Sequence, residues 1–150
     1  MVYLDASVFL HVVRQRDERP DLVADAVKML RAVERGDIRL AASRLLAVEI
    51  GRWRGDRSEI EVDQVLLNYL EQRDTEWVEV DFLVSRDART LSWEHRLFTA
   101  DAIHLATAVR RKCDYFVSTD NAFPYDQRLG ETQVVRPQVL WNPTIDDVDT

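Results

Sequence analysis

The sequence is poor in the residues that cross-link or interrupt a chain. Its 150 residues include one cysteine, Cys113, with only four glycines and four prolines. A single thiol excludes an internal disulfide and a zinc site built from several thiolates, and it is typical of a reducing compartment. No glycine- or serine-rich linker, low-complexity segment or internal repeat divides the chain. We therefore predict a single domain over residues 1–150, with an acidic tail from about 137 to 150.

Long apolar runs and an excess of basic residues are also missing. No stretch approaches the ~20 uninterrupted apolar residues of a membrane span, and the N-terminus lacks the pattern of a secretory signal. We therefore expect a cytoplasmic protein with no membrane partner. The formal net charge is -7, whereas proteins that coat nucleic acid are usually basic because they neutralise phosphates. The charge argues against simple coating of nucleic acid but allows an enzyme with a small acidic site.

What the sequence does contain is an alternation of short apolar segments with helical patterns. Five segments have the composition of buried strands: 2–4, 38–42, 77–80, 114–118 and a weak one near 134–135. The spacing of apolar side chains between them predicts helices from residue 7, over 20–36, from Ser43 through Trp53 to Gly55, and over 58–73, 82–95 and 100–112. Asp81 and Thr99 are predicted to cap the last two helices. The alternation predicts an α/β fold, a three-layer α/β/α sandwich with a mostly parallel central sheet of four to five strands.

Four carboxylates fall where such a fold could bind a ligand. Asp5 follows the first strand and Asp120 follows the strand at 114–118, and open parallel sheets bind ligands beyond the carboxyl ends of their strands. Glu49 lies in an apolar helical stripe, where an unpaired charge is costly. Asp101 lies in the first turn of its helix. Each has an ordinary alternative explanation: an edge ion pair for Glu49, the helix dipole for Asp101 and turn chemistry for Asp120.

A cluster of these carboxylates would need protons or cations. Two carboxylates ~4 Å apart repel by roughly 4 kcal/mol at an effective dielectric of 20. Ligands that are all oxygen atoms favour Mg²⁺ or Mn²⁺ over zinc. Two such ions ~3.5–4 Å apart would suit in-line hydrolysis of a phosphodiester. Ser7 and Ser118 are expected either to cap turns or to hydrogen-bond an acidic neighbour, and His104 is interpreted as a core or supporting histidine rather than a ligand.

Several segments of the chain resemble a known family. In order, VYLDASVF, RLLAVEIGRW, TADAIHLATAVRRK and YFVSTDNAF are similar to the signature of PIN-domain nucleases. Their spacing and the chain length are most similar to the VapC-type toxins of bacterial and archaeal toxin–antitoxin pairs. The resemblance extends from Val2 to about Phe123. DAIHLATA, followed closely by a strand and then S-T-D, is its most specific part.

The resemblance implies a site, a chemistry and partners. The residues that match the family's acidic metal ligands and catalytic positions are Asp5, Glu49, Asp101 and Asp120, and those that match supporting positions are Ser7, Ser118 and His104. The implied activity is endoribonuclease cleavage of RNA that depends on Mg²⁺ or Mn²⁺. The implied protein partners are an antitoxin and a second copy of the chain, which would form a homodimer.

Two other functions compete with this interpretation. A HAD-type phosphotransferase also uses an Asp at the end of strand one, but it needs a second Asp two residues later, where this chain has Ser7. The other alternative is a PIN-like domain without turnover that binds RNA or a protein. A degenerate module need not keep carboxylates at all four positions, so their presence argues against it. Metal-dependent RNA cleavage would distinguish the two.

Overall fold

The computed structural model describes residues 1–14, 19–50, 52 and 60–148. Within them the strands are β1 (Val2–Leu4), β2 (Leu40–Ser43), β3 (Glu76–Val78), β4 (Tyr115–Val117), β5 (Arg128–Leu129) and β6 (Thr132–Val135). The helices are α1 (Ala6–Arg14), α2 (Pro20–Arg35), α3 (Arg44–Glu49), α4 (Ile60–Glu71), α5 (Phe82–His95), α6 (Thr99–Arg110) and α7 (Ile145–Val148). No helix in these ranges is long and apolar enough to cross a membrane.

The strands form one sheet in the order β3-β2-β1-β4-β6-β5. Every neighbouring pair is parallel except β5 and β6. Alternate residues of β1 enter opposite cores, as the pleat of a strand requires. Val2 and Leu4 pack with α1 to α4 on one face, whereas Tyr3 packs with α5 and α6 on the other. The predicted three-layer α/β/α sandwich with a mostly parallel sheet is therefore confirmed.

The sheet has six strands, so the predicted number of four to five is too low. The additional strand, β5, has two residues and pairs antiparallel with β6, Leu129 opposite Thr132. Gly130 occupies the turn between them at φ +60°, a conformation that glycine adopts without steric cost. A two-residue strand is too short to show a period in its hydrophobicity, and this is why the sequence pattern did not indicate it.

Most helix boundaries follow the predicted signals. Pro20 is in the first turn of α2, and Gly36 ends it at φ +84°. Ser43 caps α3 by accepting a hydrogen bond from the Leu45 amide at 3.1 Å. However, α3 ends at Glu49, because Ile50 is already extended. The predicted continuation of this helix through 53–55 lies outside the described residues.

The caps of α5 and α6 differ from each other. Asp81 caps α5 as predicted, accepting from the Val84 amide at 2.8 Å. Thr99 was predicted to cap the next helix, but it is the first helical residue of α6. Phe98 occupies the N-cap position without a side-chain hydrogen bond. The prediction for Thr99 was therefore wrong by one residue, a usual error at helix ends.

Part of the predicted acidic tail packs against the domain. The Asp147 carboxylate is buried and accepts hydrogen bonds from Arg35 at 2.9 Å, from the Trp141 indole at 2.9 Å and from the Thr144 amide at 2.9 Å. The Thr144 amide, followed by the Trp141 indole, lowers the pKa of Asp147 to about 2. These bonds fasten α7 to the C-terminal end of α2.

Candidate functional site

The candidate site lies where the chain changes direction across the sheet. From β1 the chain proceeds to β2 and β3 on one side, and it later returns to β4 on the other side. The connections after β1 and β4 therefore diverge and leave a crevice at their carboxyl ends, the usual ligand position in open α/β sheets. Asp5 directly follows β1, and Ser118 and Asp120 follow β4.

Asp5 is held in this crevice by two serine hydroxyls. Ser7 Oγ and Ser118 Oγ each donate to Asp5 Oδ2 at 2.8 Å, and the Asp5 amide donates to the Val117 carbonyl at 2.9 Å. Asp5 is 8% exposed. Hydrogen bonds to a charged carboxylate are strong and fix its rotamer. No described residue donates a hydrogen bond to the second oxygen, Oδ1.

The two serines also stabilise turns, which is the alternative role predicted for them. Ser118 Oγ accepts from the Asp120 amide at 3.1 Å, and Ser7 Oγ accepts from the Thr119 amide at 3.0 Å. One hydroxyl pair therefore links the first strand, the carboxylate after it and the loop after β4. The position of the Asp120 backbone depends directly on the same group that orients Asp5.

Asp120 is exposed and lies in a turn, as its ordinary interpretation predicted. Its Oδ1 accepts from the Ala122 amide at 3.0 Å, and its carbonyl accepts from the Tyr125 hydroxyl. This turn geometry does not compete with a role in the crevice, since the charge of Asp120 also acts on its acidic neighbours. The most direct sign of this is the pKa of Asp101.

Asp101 projects from the first turn of α6 and is partly buried. Burial, together with the charges of Asp5, Asp120 and Glu49, raises the pKa of Asp101 to about 6 against the opposing effect of His104. The four carboxylates therefore lie in one electrostatic environment although they come from four segments of the chain. Such mutual repulsion is the expected property of an acidic site without its cation.

Glu49 and His104 meet at the side of the crevice. His104 Nε2 lies 2.6 Å from Glu49 Oε2, and His104 Nδ1 lies 2.5 Å from the hydroxyl of Tyr3. His104 is 3% exposed and Tyr3 is fully buried. The buried histidine thus contacts the carboxylate of Glu49, a predicted site residue.

The candidate residues have the oxygen donors that a hard divalent cation prefers. As described, they do not form a complete coordination shell. The donors are carboxylate oxygens, which suit Mg²⁺ or Mn²⁺. In the part of the chain that the structure describes, no three His, Cys, Asp or Glu side chains are close enough to hold a metal ion as they stand. The crevice therefore contains carboxylates that come from separate segments of the chain. A cation would offset the repulsion between them.

A comparison with protein-family models shows the family to which the chain belongs. The family model of the PIN domain matches residues 2–125. The chain belongs to the PIN-domain family. PIN domains are typically metal-dependent nucleases, and the matched range contains Asp5, Glu49, Asp101 and Asp120. A search of curated proteins found no match.

This PIN domain contains site neighbours that the sequence pattern did not single out. The Arg136 guanidinium lies 4.2 Å from the centroid of the Tyr125 ring and donates to the Thr119 carbonyl at 3.1 Å and to Asn121 Oδ1 at 2.7 Å. Together, Tyr125 and Arg136 hold the loop that carries Asp120. The sequence pattern indicates Tyr3 only as part of an apolar strand. The available signal was that a buried tyrosine needs a partner for its hydroxyl.

Proposed function

We propose that this PIN domain is an endoribonuclease that hydrolyses RNA phosphodiester bonds with Mg²⁺ or Mn²⁺. The residues proposed to hold the cation are Asp5, Glu49, Asp101 and Asp120, supported by Ser7, Ser118 and His104. The observation that carries the proposal is the Asp5 carboxylate, fixed by two hydroxyls at the β1–β4 crevice with a second oxygen that no described residue bonds. The family match supports nuclease chemistry in general.

In the proposed site, the serine hydroxyls orient Asp5 and the carboxylates supply the negative charge that binds the cation. A divalent cation, when bound, lowers the pKa of water and stabilises negative charge on phosphoryl oxygens. Ser7 and Ser118 orient Asp5 before any ligand arrives, so little reorganisation is needed. Without a cation the carboxylates would repel an RNA phosphate by the kind of Coulomb interaction that, in addition to burial, raises the pKa of Asp101. Binding of RNA and binding of the cation are therefore expected to be strongly coupled.

The experiment is cleavage of a pool of cellular RNAs by the purified protein with Mg²⁺, with Mn²⁺ and with EDTA. Asp5→Asn and Asp101→Asn each remove one charge from the crevice. Asp74→Asn is the matched control, because Asp74 precedes β3 at the opposite edge of the sheet and its side chain is 93% exposed. Discrete cuts that need metal and are lost only in the first two variants would support the proposal. Absence of cuts by folded protein that binds metal would favour a PIN-like module without turnover.

We further propose that the chain is the toxin of a VapC-type toxin–antitoxin pair and forms a homodimer. Large exposed apolar side chains support a protein-binding surface: Trp93 is 84% and Phe98 is 85% exposed, on either side of the α5–α6 junction. A groove of about 370 Å³ between α5 and α6 adjoins Trp93. Surfaces of this kind usually mark an interface.

Growth and sedimentation test these two partners separately. Expression of the wild-type chain in a bacterial host should arrest growth, whereas Asp5→Asn should not, and a protein encoded by the neighbouring gene should relieve the arrest. Sedimentation velocity should give a dimer for the wild type and a monomer for Trp93→Glu. Unimpaired growth would contradict the toxin role, and a wild-type monomer at high concentration would contradict the homodimer.

A further inference from the structure

A chain of buried hydrogen bonds connects the first strand to the edge of the crevice. The Ser43 amide donates to the Tyr3 hydroxyl at 3.1 Å, the hydroxyl lies 2.5 Å from His104 Nδ1, and His104 Nε2 lies 2.6 Å from Glu49 Oε2. The backbone amide is at the end of β2, Tyr3 is in β1, and His104 is in α6. Three elements of the fold therefore converge on one carboxylate.

The positions of the protons in this chain follow from simple counting. The Tyr3 oxygen already accepts from an amide, and its own single proton needs an acceptor because the group is fully buried. The nearest acceptor is His104 Nδ1. A neutral imidazole that accepts at Nδ1 carries its proton at Nε2, so His104 donates to Glu49.

We propose that Tyr3 is a positioning residue of this PIN domain: its hydroxyl fixes His104 in the Nε2–H tautomer, and His104 thereby holds the Glu49 carboxylate at the crevice for the divalent cation. This inference rests on the proposed function only for the identity of the ligand. The hydrogen-bond direction itself is independent of catalysis. Partners that orient a ligating group from behind typically change metal affinity or activity by 10–100-fold when removed.

Tyr3→Phe removes the hydroxyl and keeps the ring that stacks on Phe116 at a centroid distance of 5.4 Å. Tyr69→Phe is the matched control, because the Tyr69 hydroxyl donates to the Leu30 carbonyl on the other face of the sheet. His104→Gln keeps a side-chain amide donor that can reach Glu49 but lacks an imidazole tautomer. If Tyr3 acts through the tautomer, its effect should disappear once His104 is glutamine.

The first readout is the ¹⁵N spectrum of the histidine ring in EDTA. The wild type and Tyr69→Phe should show His104 as the Nε2–H tautomer, and Tyr3→Phe should show a mixture of tautomers. The second readout is Mn²⁺ affinity measured by electron paramagnetic resonance. Tyr3→Phe should weaken it about 10-fold in the wild-type background, and much less in the His104→Gln background. Such non-additivity indicates that two residues act through one contact.

The outcomes separate this inference from the proposed function. An unchanged His104 tautomer in Tyr3→Phe would overturn the inference, and so would equal losses of Mn²⁺ affinity in both backgrounds, which would indicate a structural role alone. A changed tautomer with a loss confined to the wild-type background would support it. A wild-type protein that binds Mn²⁺ but cuts no RNA would contradict the nuclease proposal, while the tautomer and affinity comparisons would still decide the role of Tyr3.

Discussion

Ser118 Oγ donates a hydrogen bond to Asp5 Oδ2 at 2.8 Å, although the two residues are 113 positions apart in sequence. The same oxygen accepts the amide of Asp120 at 3.1 Å. One hydroxyl therefore sets both the rotamer of the carboxylate after β1 and the backbone of the loop after β4. The crevice depends on this contact before any ligand binds.

Ser118→Ala is expected to destabilise the fold and to reduce RNA cleavage. The change leaves the Asp120 amide without its acceptor and the buried Asp5 carboxylate with the Ser7 hydroxyl as its one remaining serine donor, at a cost of about 1–3 kcal/mol. Urea unfolding in EDTA measures this loss. Ser85→Ala is the control, because the exposed Ser85 hydroxyl donates only to the Asp81 carbonyl and its loss should stay within about 0.5 kcal/mol. Equal stability of the two variants would show that the Ser118 bonds contribute nothing.

Asp101→Asn is expected to stabilise the metal-free protein at neutral pH. The folded pKa of Asp101, about 6, lies above its ordinary value of 3.8, so the folded state holds this proton more tightly than the unfolded state. The stabilising contribution is complete below about pH 4 and is lost as the pH rises through about 6. Across the range from pH 4 to 8, thermal unfolding in EDTA should therefore favour the variant increasingly up to about pH 6, and the difference should level off above that pH. A constant difference across this range would contradict the shift.

Mg²⁺ should raise the unfolding temperature of the wild type, because a ligand that binds only the folded state stabilises it by mass action, about 2.7 kcal/mol at 100 times the dissociation constant. In the proposed site, the carboxylates of the crevice are the groups whose repulsion the cation would offset. Asp5→Asn should lose most of this gain, whereas Asp74→Asn, which changes the same charge at the opposite edge, should keep it. Calorimetric scans with Mg²⁺ and with EDTA measure both. An equal gain in Asp5→Asn would place the cation elsewhere.

Asp147→Asn tests the attachment of the C-terminal segment through its pH dependence. The Thr144 amide and the Trp141 indole lower the folded pKa of Asp147 to about 2, below the ordinary value of 3.8. Its contribution to stability is therefore present above about pH 4 and is lost as the pH falls towards 2. The variant should be less stable than the wild type at pH 7, and the gap should close in acid. Asp74→Asn should leave the acid profile of the wild type unchanged, and a gap that persists at pH 2 would refute the assignment.

Local signals in the sequence predicted the parts of the fold that depend on neighbouring residues. Pro20 and Gly36 mark the ends of α2, and Ser43 and Asp81 cap their helices because their side chains bond amides two or three positions away. β5 escaped prediction because its two residues acquire strand character only from pairing with β6. Local pattern also placed the N-cap of α6 one residue too late, at Thr99 instead of Phe98, since a hydroxyl near a helix start is a common cap.

The sequence indicates which residues are candidates for the site, but not the contacts that connect them. The position of Asp5 and Asp120 after strands follows from topology, so their convergence could be expected. The bond from Tyr3 to His104 could not, because it depends on side chains 101 positions apart whose approach is set by the packing of α6 on the sheet. The contact between the Arg136 guanidinium and the Tyr125 ring also depends on tertiary packing, so no periodic pattern in the sequence predicts it.

The decisive measurement for the proposed metal site is the rate of cleavage of one defined RNA, chosen from the cuts in the cellular pool. It would be measured against Mg²⁺ concentration for the wild type, Asp5→Asn and Asp74→Asn, each shown to be folded by circular dichroism. We predict that the rate of the wild type and of Asp74→Asn rises with Mg²⁺, and that Asp5→Asn stays at the level of the EDTA control. Cleavage by folded Asp5→Asn at the rate of the wild type would contradict the proposed site.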